Sequence, residues 1–256
     1  MPLKLETARR VLVIPARRRS TRLPDKMLLR DTGKTVLQHT YEAACRARQA
    51  ELVLIATDDE EIAVVARRFG ARVAMTSPDC PSGTDRVAEA VKLTPRAEVI
   101  VNLQGDEPEA DPAAIDRLFE LLMNHPAASM ATLATPIRAR AALEDPACVK
   151  VTFDNAGRAL YFSRSAIPHA REWDDRLLTA ATATYYQHIG IYAYRRPLLM
   201  QMPKWPMGRL EQVEKLEQLR VLENGAGILV AVTEHATRGI DTPEDYAAFV
   251  ARQRAA

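Results

Sequence analysis

A dense group of basic and hydroxyl side chains lies near the start of this 256-residue chain. It contains five cations and two hydroxyl residues: Arg17, Arg18, Arg19, Ser20, Thr21, Arg22 and Lys26. Arginine can hold phosphate oxygens through two parallel hydrogen bonds, whereas lysine supplies a compact positive charge. The group therefore favours binding of several phosphates, although a solvated basic loop or a nucleic-acid patch would have a similar composition.

Two acidic side chains, far apart in the sequence, could complement these cations. Asp106 follows the strand-like run Glu98–Leu103, and Asp241 precedes the last predicted helix. Magnesium in phosphate chemistry is held by one or two carboxylates together with substrate phosphates. Asp106 alone could equally be a turn residue, because Gly105 and Pro108 flank it. Taken with the basic group, the two acids predict metal-assisted phosphoryl transfer through positioning and charge neutralisation.

A third polar segment, Ser82–Arg86, precedes a predicted helix at Val87–Leu93. The first amides of a helix have no intrahelical partner and can hold an anion or the polar edge of a base. Thr84 could instead be an ordinary N-cap with no ligand nearby. The sequence leaves both interpretations open.

Apolar runs alternate with helical patterns along the first half of the chain. Four runs predict strands: Val11–Ile14, which has the composition of a buried strand, and then Leu52–Ala56, Arg72–Met75 and Glu98–Leu103. Helical patterns separate them, first at Val36–Ala47 and then from Thr57-Asp58-Asp59-Glu60 to Arg68. This order predicts an α/β fold with a doubly wound, mostly parallel sheet, whose ligands bind at the carboxyl ends of the strands.

The pattern changes after Ala139. Three strand-like runs follow without clear helices between them: Val149–Phe153, Ala159–Ser163 and Gln187–Arg195. They predict a smaller antiparallel lobe, at about residues 140–200, inserted in a single domain that spans residues 1–256. Leu210–Leu222 predicts one amphipathic helix with a solvated charged face, and Met1–Arg10 predicts a loose end.

Composition narrows the class of protein further. The net charge is +2, from 35 basic and 33 acidic residues, which argues against a general nucleic-acid partner. No apolar run approaches the roughly 18 residues of a membrane span, and no signal-peptide core is found. Cys45, Cys80 and Cys148 form no C-x-x-C pair, so reduced thiols in a cytoplasmic protein are expected.

The motifs along the chain resemble those of the 3-deoxy-manno-octulosonate (Kdo) cytidylyltransferase family. The resemblance rests on P-A-R-x-x-S-T-R-L-P-x-K at Pro15–Lys26, S-G-T-D-R at Ser82–Arg86, V-N-L-Q-G-D-E-P at Val101–Pro108, V-K-V at Val149–Val151, A-L-Y-F-S-R at Ala159–Arg164, H-I-G-I-Y-A-Y-R at His188–Arg195, L-E-x-x-E-x-L-E-Q-L-R-V-L at Leu210–Leu222 and I-D-T-P-E-D at Ile240–Asp245. It implies a Rossmann-like nucleotidyltransferase fold and transfer of CMP from CTP to Kdo for lipopolysaccharide biosynthesis. It also implies a homodimer formed through Ala159–Tyr194.

The resemblance also assigns a role to each site residue. Arg17, Arg22 and Lys26 would bind the triphosphate, and Ala16, Ser82 and Arg86 the cytidine. Asp106 and Asp241 would hold Mg²⁺ and, with Lys26, act in catalysis. Gln104, Arg164, His188, Tyr192 and Glu211 would bind the sugar acid.

The sequence departs from the family pattern at Asp25, where the family commonly carries a small residue. A carboxylate there would repel phosphate unless it turns outward or meets a metal or an arginine. His169–Ala183 matches the family weakly, so the choice among related sugar acids stays open. Alternatives are a cytidylyltransferase for N-acylneuraminate or another sugar acid, and a non-catalytic nucleotide-binding protein.

Overall fold

The computed structural model describes residues 3–18, 22–234 and 239–255. The chain forms two compact units, Met1–Glu120 with Thr237–Ala256, and Leu121–Ala236. In chain order the strands are β1 Arg10–Ala16, β2 Leu52–Thr57, β3 Arg72–Met75, β4 Val99–Asn102, β5 Met130–Pro136, β6 Lys150–Phe153, β7 Ala159–Ser163, β8 Tyr186–Arg195 and β9 Ile228–Val232. The helices are α1 Leu3–Thr7, α2 Val36–Cys45, α3 Glu60–Arg68, α4 Gly83–Ala90, α5 Pro112–Asn124, α6 Arg140–Glu144, α7 Arg176–Thr179, α8 Arg196–Gln201, α9 Arg209–Glu214, α10 Gln218–Glu223 and α11 Pro243–Ala255.

The first unit is organised around four parallel strands in the order β3-β2-β1-β4. In β1, every residue from Val11 to Ala16 is buried, as expected for a strand covered on both faces. Val13 lies opposite Asn102 of β4, and Ala16 lies opposite Thr57 of β2. The loops that leave β1 and β4 therefore start from the same edge, and the predicted parallel α/β arrangement is confirmed.

The second unit contains the antiparallel strands. β5 pairs antiparallel with β8 and parallel with β9, while β6 and β7 form an antiparallel hairpin. Gly157 turns that hairpin with a φ of 75°, a conformation that residues with a Cβ rarely adopt. The antiparallel arrangement is as predicted, whereas the single domain with a lobe near residues 140–200 stays a prediction.

The prediction of one helix at Leu210–Leu222 is wrong. α9 ends at Glu214, Lys215 adopts a left-handed φ of 55°, and α10 begins at Gln218. The charged face is also not fully solvated, because Glu211 is buried. Helical periodicity continues through the break, so the sequence pattern did not indicate it.

Two smaller expectations also need correction. The predicted loose end at Met1–Arg10 contains α1, and Arg10 already belongs to β1. The N-cap of α4 is Ser82, not Thr84, because the Ser82 hydroxyl accepts a hydrogen bond of 3.2 Å from the Asp85 amide. Over residues 3–18, 22–234 and 239–255, no helix has the length and apolarity needed to cross a bilayer.

Candidate active site

A cavity of about 360 Å³ opens in the first unit. Nine of the residues singled out from the sequence line it: Ala16, Arg17, Arg22, Lys26, Ser82, Arg86, Gln104, Asp106 and Asp241. Burial raises the pKa of the neighbouring Cys80 thiol to about 11, and a hydrogen bond to Glu89 acts in the same direction. That thiol is therefore protonated at neutral pH, which disfavours it as a nucleophile.

Close backbone packing shapes one wall of this cavity. A Cβ on Gly105 would lie 3.0 Å from the carbonyl oxygen of Pro15 and 3.0 Å from the sulfur of Met27. A larger residue would therefore press on the Pro15 carbonyl of β1 and on Met27, and would push the loop after β4 away from them. Gly105 thus keeps Asp106 close to the basic segment.

Lys26 lies at the centre of the polar groups in the cavity. Its side chain is only 8% exposed, and its ammonium lies 2.5 Å from Asp106 Oδ2 and 3.1 Å from Asp241 Oδ1. Arg22, which is well exposed, also contacts Asp241 Oδ1 at 3.0 Å. Two cations and two carboxylates from three parts of the sequence therefore meet at one point.

A backbone hydrogen bond brings Asp241 to this point. The Ile240 amide donates to the Asp106 carbonyl at 2.9 Å, which fixes the segment before α11 against the loop after β4. The Asp241 and Thr242 amides both donate to the Asp245 carboxylate, and Thr242 accepts from the Asp245 amide. The Thr242 hydroxyl thus caps α11, which begins at Pro243, and these hydrogen bonds restrain the backbone at Asp241.

The donor set of this cluster fits a magnesium ion. Asp106 and Asp241 offer hard carboxylate oxygens, and both contact the same ammonium, so a divalent cation placed there would meet both. No group of three or more His, Cys, Asp or Glu suitable for a metal occurs in the described part of the chain. The remaining ligands would come from phosphate and water, the arrangement that magnesium favours.

Arg86 is fixed by two partners on neighbouring segments. Its guanidinium lies 3.2 Å from Asp58 Oδ1 and also donates to the Thr76 hydroxyl, and the side chain is only 5% exposed. Ser82 caps α4 and donates from its hydroxyl to Asp85 at 2.6 Å. Two of the three residues predicted to bind cytidine, Ser82 and Arg86, are thus held in place by hydrogen bonds at the N-cap and in the first turns of α4.

Asp25 meets an arginine, one of the arrangements that the sequence left open. Its Oδ1 accepts from Arg18 Nε at 2.8 Å, and the same arginine contacts Glu61 at 2.5 Å. Asp25 also has a φ of 51°, which agrees with a preference for small residues there. Its carboxylate is compensated and does not line the cavity. Arg19, Ser20 and Thr21 lie outside the described residues.

Replacing Asp25 with glycine should therefore leave CTP affinity within about twofold of wild type. The substitution removes a carboxylate that Arg18 already neutralises, and glycine tolerates the positive φ. Isothermal titration with CTP would measure the effect. A large gain in affinity would mean that Asp25 repels the triphosphate despite its ion pair.

In the second unit, His188 and Tyr192 lie on β8 and are neighbours, with ring centroids 5.4 Å apart. The Thr132 hydroxyl lies 2.9 Å from His188 Nε2 and donates to the carbonyls of Ile189 or Ile191, so Nε2–H is the donor to Thr132. Burial lowers the pKa of His188 to about 3 and raises the pKa of Tyr192. Both side chains are therefore neutral hydrogen-bonding groups at physiological pH.

The buried His188 should make the protein less stable in acid. Its pKa is about 6.5 when unfolded and about 3 when folded, so below pH 6.5 the unfolded chain binds the extra proton. The free energy of unfolding is therefore unaffected by this proton above pH 6.5. Below pH 6.5 it falls by about 1.4 kcal/mol per pH unit. Urea unfolding from pH 7.5 to 4.5 should show a narrowing gap between wild type and His188→Gln. A constant gap would contradict the buried neutral imidazole.

Arg164 and Glu211 are already engaged in hydrogen bonds. Arg164 donates from Nε to the Glu214 carbonyl at 2.8 Å and from Nη1 to the Pro146 carbonyl at 3.0 Å. Glu211 accepts two hydrogen bonds from Arg220, at 2.6 and 2.7 Å, and its side chain is 6% exposed. This buried ion pair joins α9 to α10, so Glu211 has a structural role in addition to the predicted contact with the sugar.

Comparison with known proteins identifies the family. A family model described as Cytidylyltransferase matches residues 11–231, most of the chain. The chain belongs to the cytidylyltransferase family. One relative of this cytidylyltransferase is a protein from Rhodopirellula baltica that is named 3-deoxy-manno-octulosonate cytidylyltransferase. It is 51% identical over 243 residues, which cover 94% of this chain and 97% of the relative.

Two further relatives bear on fold and substrate. A protein from Shewanella woodyi, named 8-amino-3,8-dideoxy-manno-octulosonate cytidylyltransferase, is 45% identical over 237 residues, covering 91% of this cytidylyltransferase and 94% of that protein. A solved structure of CMP:2-keto-3-deoxy-manno-octonic acid synthetase complexed with CTP has a TM-score of 0.89 and 38% identity. It covers 96% of this chain and 99% of that chain, which agrees with the nucleotidyltransferase fold predicted from sequence.

Several site residues of this cytidylyltransferase have partners that were not predicted from the sequence. Asp58, the partner of Arg86, directly follows β2, just as Asp106 comes after β4. Asp106 was singled out because it is an acidic residue that follows a predicted strand. The same criterion would also have identified Asp58. No sequence signal connects Glu214 with Arg164, because the two are 50 residues apart.

Proposed function

We propose that this cytidylyltransferase transfers CMP from CTP to the anomeric hydroxyl of Kdo, with release of pyrophosphate, to supply activated sugar for lipopolysaccharide biosynthesis. The observation that carries the proposal is the convergence of Lys26 with Asp106 and Asp241 in a cavity lined by further cations. Such a cluster suits a triphosphate that arrives with a divalent ion. A non-catalytic nucleotide-binding protein has no need of the second carboxylate.

The cations of the cavity bind the triphosphate in this proposal. Arg17 and Arg22 are exposed at its mouth and can turn towards the phosphates, whereas Lys26 is buried and fixed. Ala16, Ser82 and Arg86 hold the cytidine moiety. Because Arg86 is restrained by Asp58 and Thr76, its remaining donors have a defined direction for the base or ribose.

Mg²⁺ held by Asp106 and Asp241 would neutralise charge on the phosphate oxygens around the α-phosphorus. Lys26 contacts both carboxylates and Arg22 contacts Asp241, so both cations lie beside the position that the metal-bound phosphates would take. During the reaction the anomeric oxygen bonds to the α-phosphorus while the bond to pyrophosphate breaks. Lys26 stabilises the charge that develops on the transferred group.

The sugar acid is recognised by groups that match its chemistry. A guanidinium such as that of Arg164 suits the carboxylate, and neutral groups such as His188, Tyr192 and Gln104 suit hydroxyls. His188 can act in this way because burial keeps it uncharged. Glu211 contributes by holding Arg220 and the start of α9, and a direct contact with the sugar stays a prediction.

A second candidate substrate is the 8-amino analogue of Kdo. The Shewanella woodyi relative carries that name and is 45% identical over 91% of this chain, only slightly less than the Kdo-named relative. At one carbon, Kdo carries a hydroxyl group and the analogue carries an ammonium group. An enzyme can discriminate between these two groups through a single polar contact. N-acylneuraminate is a more distant alternative, because the motif A-L-Y-F-S-R at Ala159–Arg164 is not expected in its cytidylyltransferases.

The proposed active form is a cytoplasmic homodimer. Leu160, on β7 within the predicted interface at Ala159–Tyr194, is 62% exposed, and Val213 on α9 is 78% exposed. A second copy of the chain would cover them. Sedimentation velocity should give a dimer for the wild type and a monomer for the Leu160→Lys, Val213→Lys double variant.

Pyrophosphate release from CTP tests the proposed reaction. Release should require both Mg²⁺ and Kdo, and the product should carry CMP bound to the sugar. Comparing kcat/KM for Kdo, its 8-amino analogue and N-acetylneuraminate would identify the acceptor. Release with CTP alone, or no turnover with any of the three sugars, would overturn the proposal.

A further inference from the structure

Lys150 is a fully buried lysine on β6, with a relative exposure of 0%. Its ammonium donates to three backbone carbonyls, those of Asp145 at 2.9 Å, Cys148 at 2.6 Å and Arg164 at 2.5 Å. All three ammonium hydrogens thus have an acceptor. Desolvation lowers the pKa of Lys150, while nearby acidic groups oppose that change.

The three carbonyls come from two separate segments of the second unit. Asp145 and Cys148 belong to the loop between α6 and β6, whereas Arg164 directly follows β7. Lys150 therefore ties this loop to the end of β7. A shorter or apolar side chain would remove the ammonium from all three carbonyls, and with it this link between the loop and the end of β7.

The same two segments determine where the Arg164 guanidinium lies. Its Nη1 donates to the Pro146 carbonyl at 3.0 Å, within the loop that Lys150 holds. On its other side, Nε donates to the Glu214 carbonyl, and the Glu214 carboxylate accepts from the Arg164 amide and the Ser163 hydroxyl. Arg164 is thus fixed at its backbone and at its guanidinium, and Lys150 contributes to both constraints.

We propose that Lys150 is a positioning residue for recognition of the sugar-acid carboxylate, acting through Arg164 and the 145–148 loop. This inference rests on the proposed function, in which Arg164 binds that carboxylate. Lys150 does not touch the substrate, because its side chain is enclosed. Its ammonium instead keeps the Arg164 backbone and the Pro146 carbonyl at a fixed separation, so the free guanidinium donors point in one direction.

Steady-state kinetics of Lys150→Met test the inference, with Lys150→Gln as a variant that keeps a hydrogen-bond donor. We expect Lys150→Met to raise KM for the accepted sugar acid at least tenfold, with KM for CTP within twofold of wild type. Lys150→Gln should recover part of the loss. Lys204→Met, which changes an exposed lysine of the same unit, is the matched control and should leave both KM values unchanged.

Coupling to Arg164 separates positioning from general stability. In an Arg164→Ala background, Lys150→Met should raise KM for the sugar acid no further, since the group that it positions is gone. Independent, multiplicative effects would overturn the inference, and so would an unchanged KM in a folded Lys150→Met protein. If neither Lys150 variant folds, the residue serves folding alone, and the inference also fails. Failure of the proposed function is distinguishable, because the wild type would then not turn over any of the sugar acids.

Discussion

Replacing Asp106 with alanine should lower kcat for pyrophosphate release by about a thousandfold. The substitution removes one of two carboxylates that converge on the cavity, and Mg²⁺ would lose a protein ligand. The fold should persist, because the Asp106 side chain fills no core volume and its carbonyl still accepts from the Ile240 amide. Pyrophosphate release at saturating CTP, Kdo and Mg²⁺ would measure the loss, and circular dichroism would verify the fold.

A matched control for that variant lies close by. Glu244 is exposed in the first turn of α11, three positions after Asp241, so Glu244→Gln removes a negative charge near the cluster without removing a ligand. It should keep near-wild-type kcat. If Asp106→Ala also kept near-normal kcat, or if the two variants lost activity equally, the assignment of Asp106 as a metal ligand would be wrong.

Lys26→Met should lower kcat by a hundredfold to a thousandfold, about the effect of losing one preorganised charge at a reacting group. The same variant should bind Mg²⁺ more tightly when no nucleotide is present. The reason is that the Lys26 ammonium contacts both Asp106 and Asp241, so it competes with a cation for their oxygens. Turnover assays and calorimetric titration with Mg²⁺ measure the two effects separately.

The Lys26 variant should therefore have a lower kcat but a higher affinity for Mg²⁺. A residue that only stabilises the fold would weaken both properties when it is replaced. Lys92→Met, at an exposed position of the same unit, controls for loss of a positive charge. Weaker Mg²⁺ binding by the Lys26 variant would mean that the lysine and the metal do not share the two carboxylates.

Local sequence patterns determined much of the fold and part of the site. Strands β1, β2 and β4 of the first unit are almost continuously buried, so their apolar runs and the turns that bound them identified them. Because β1 and β4 are parallel neighbours, the segment after β1 and the loop after β4 begin at the same edge of the sheet. The sequence therefore predicted that the basic group and Asp106 would lie at the same edge of the sheet.

The sequence singled out Asp241 as a second acid, but no local pattern showed how it would reach Asp106. Asp241 lies 135 residues after Asp106, and a hydrogen bond from the Ile240 amide to the Asp106 carbonyl joins their two segments. Such a bond joins backbone groups that every residue carries. Sequence composition contains no signal for it.

Pairing of charged groups was likewise decided by tertiary structure. The sequence left Asp25 to turn outward or to meet a metal or an arginine, with Arg18 and Arg19 as nearby cations, and the structure shows that Arg18 is its partner. It gave a charged helical face at Leu210–Leu222, whereas the structure breaks that helix and buries Glu211 against Arg220.

The sequence by itself therefore determined the elements and the chemistry that they can present, because periodicity and turn residues act over a few positions. Only the tertiary structure decided which polar groups satisfy one another. The Lys150 ammonium is an example, since its three carbonyl partners lie on two segments that the sheet brings together. The physical reason is that burial makes an unpaired charge costly, and its partner is whichever group the fold places within reach.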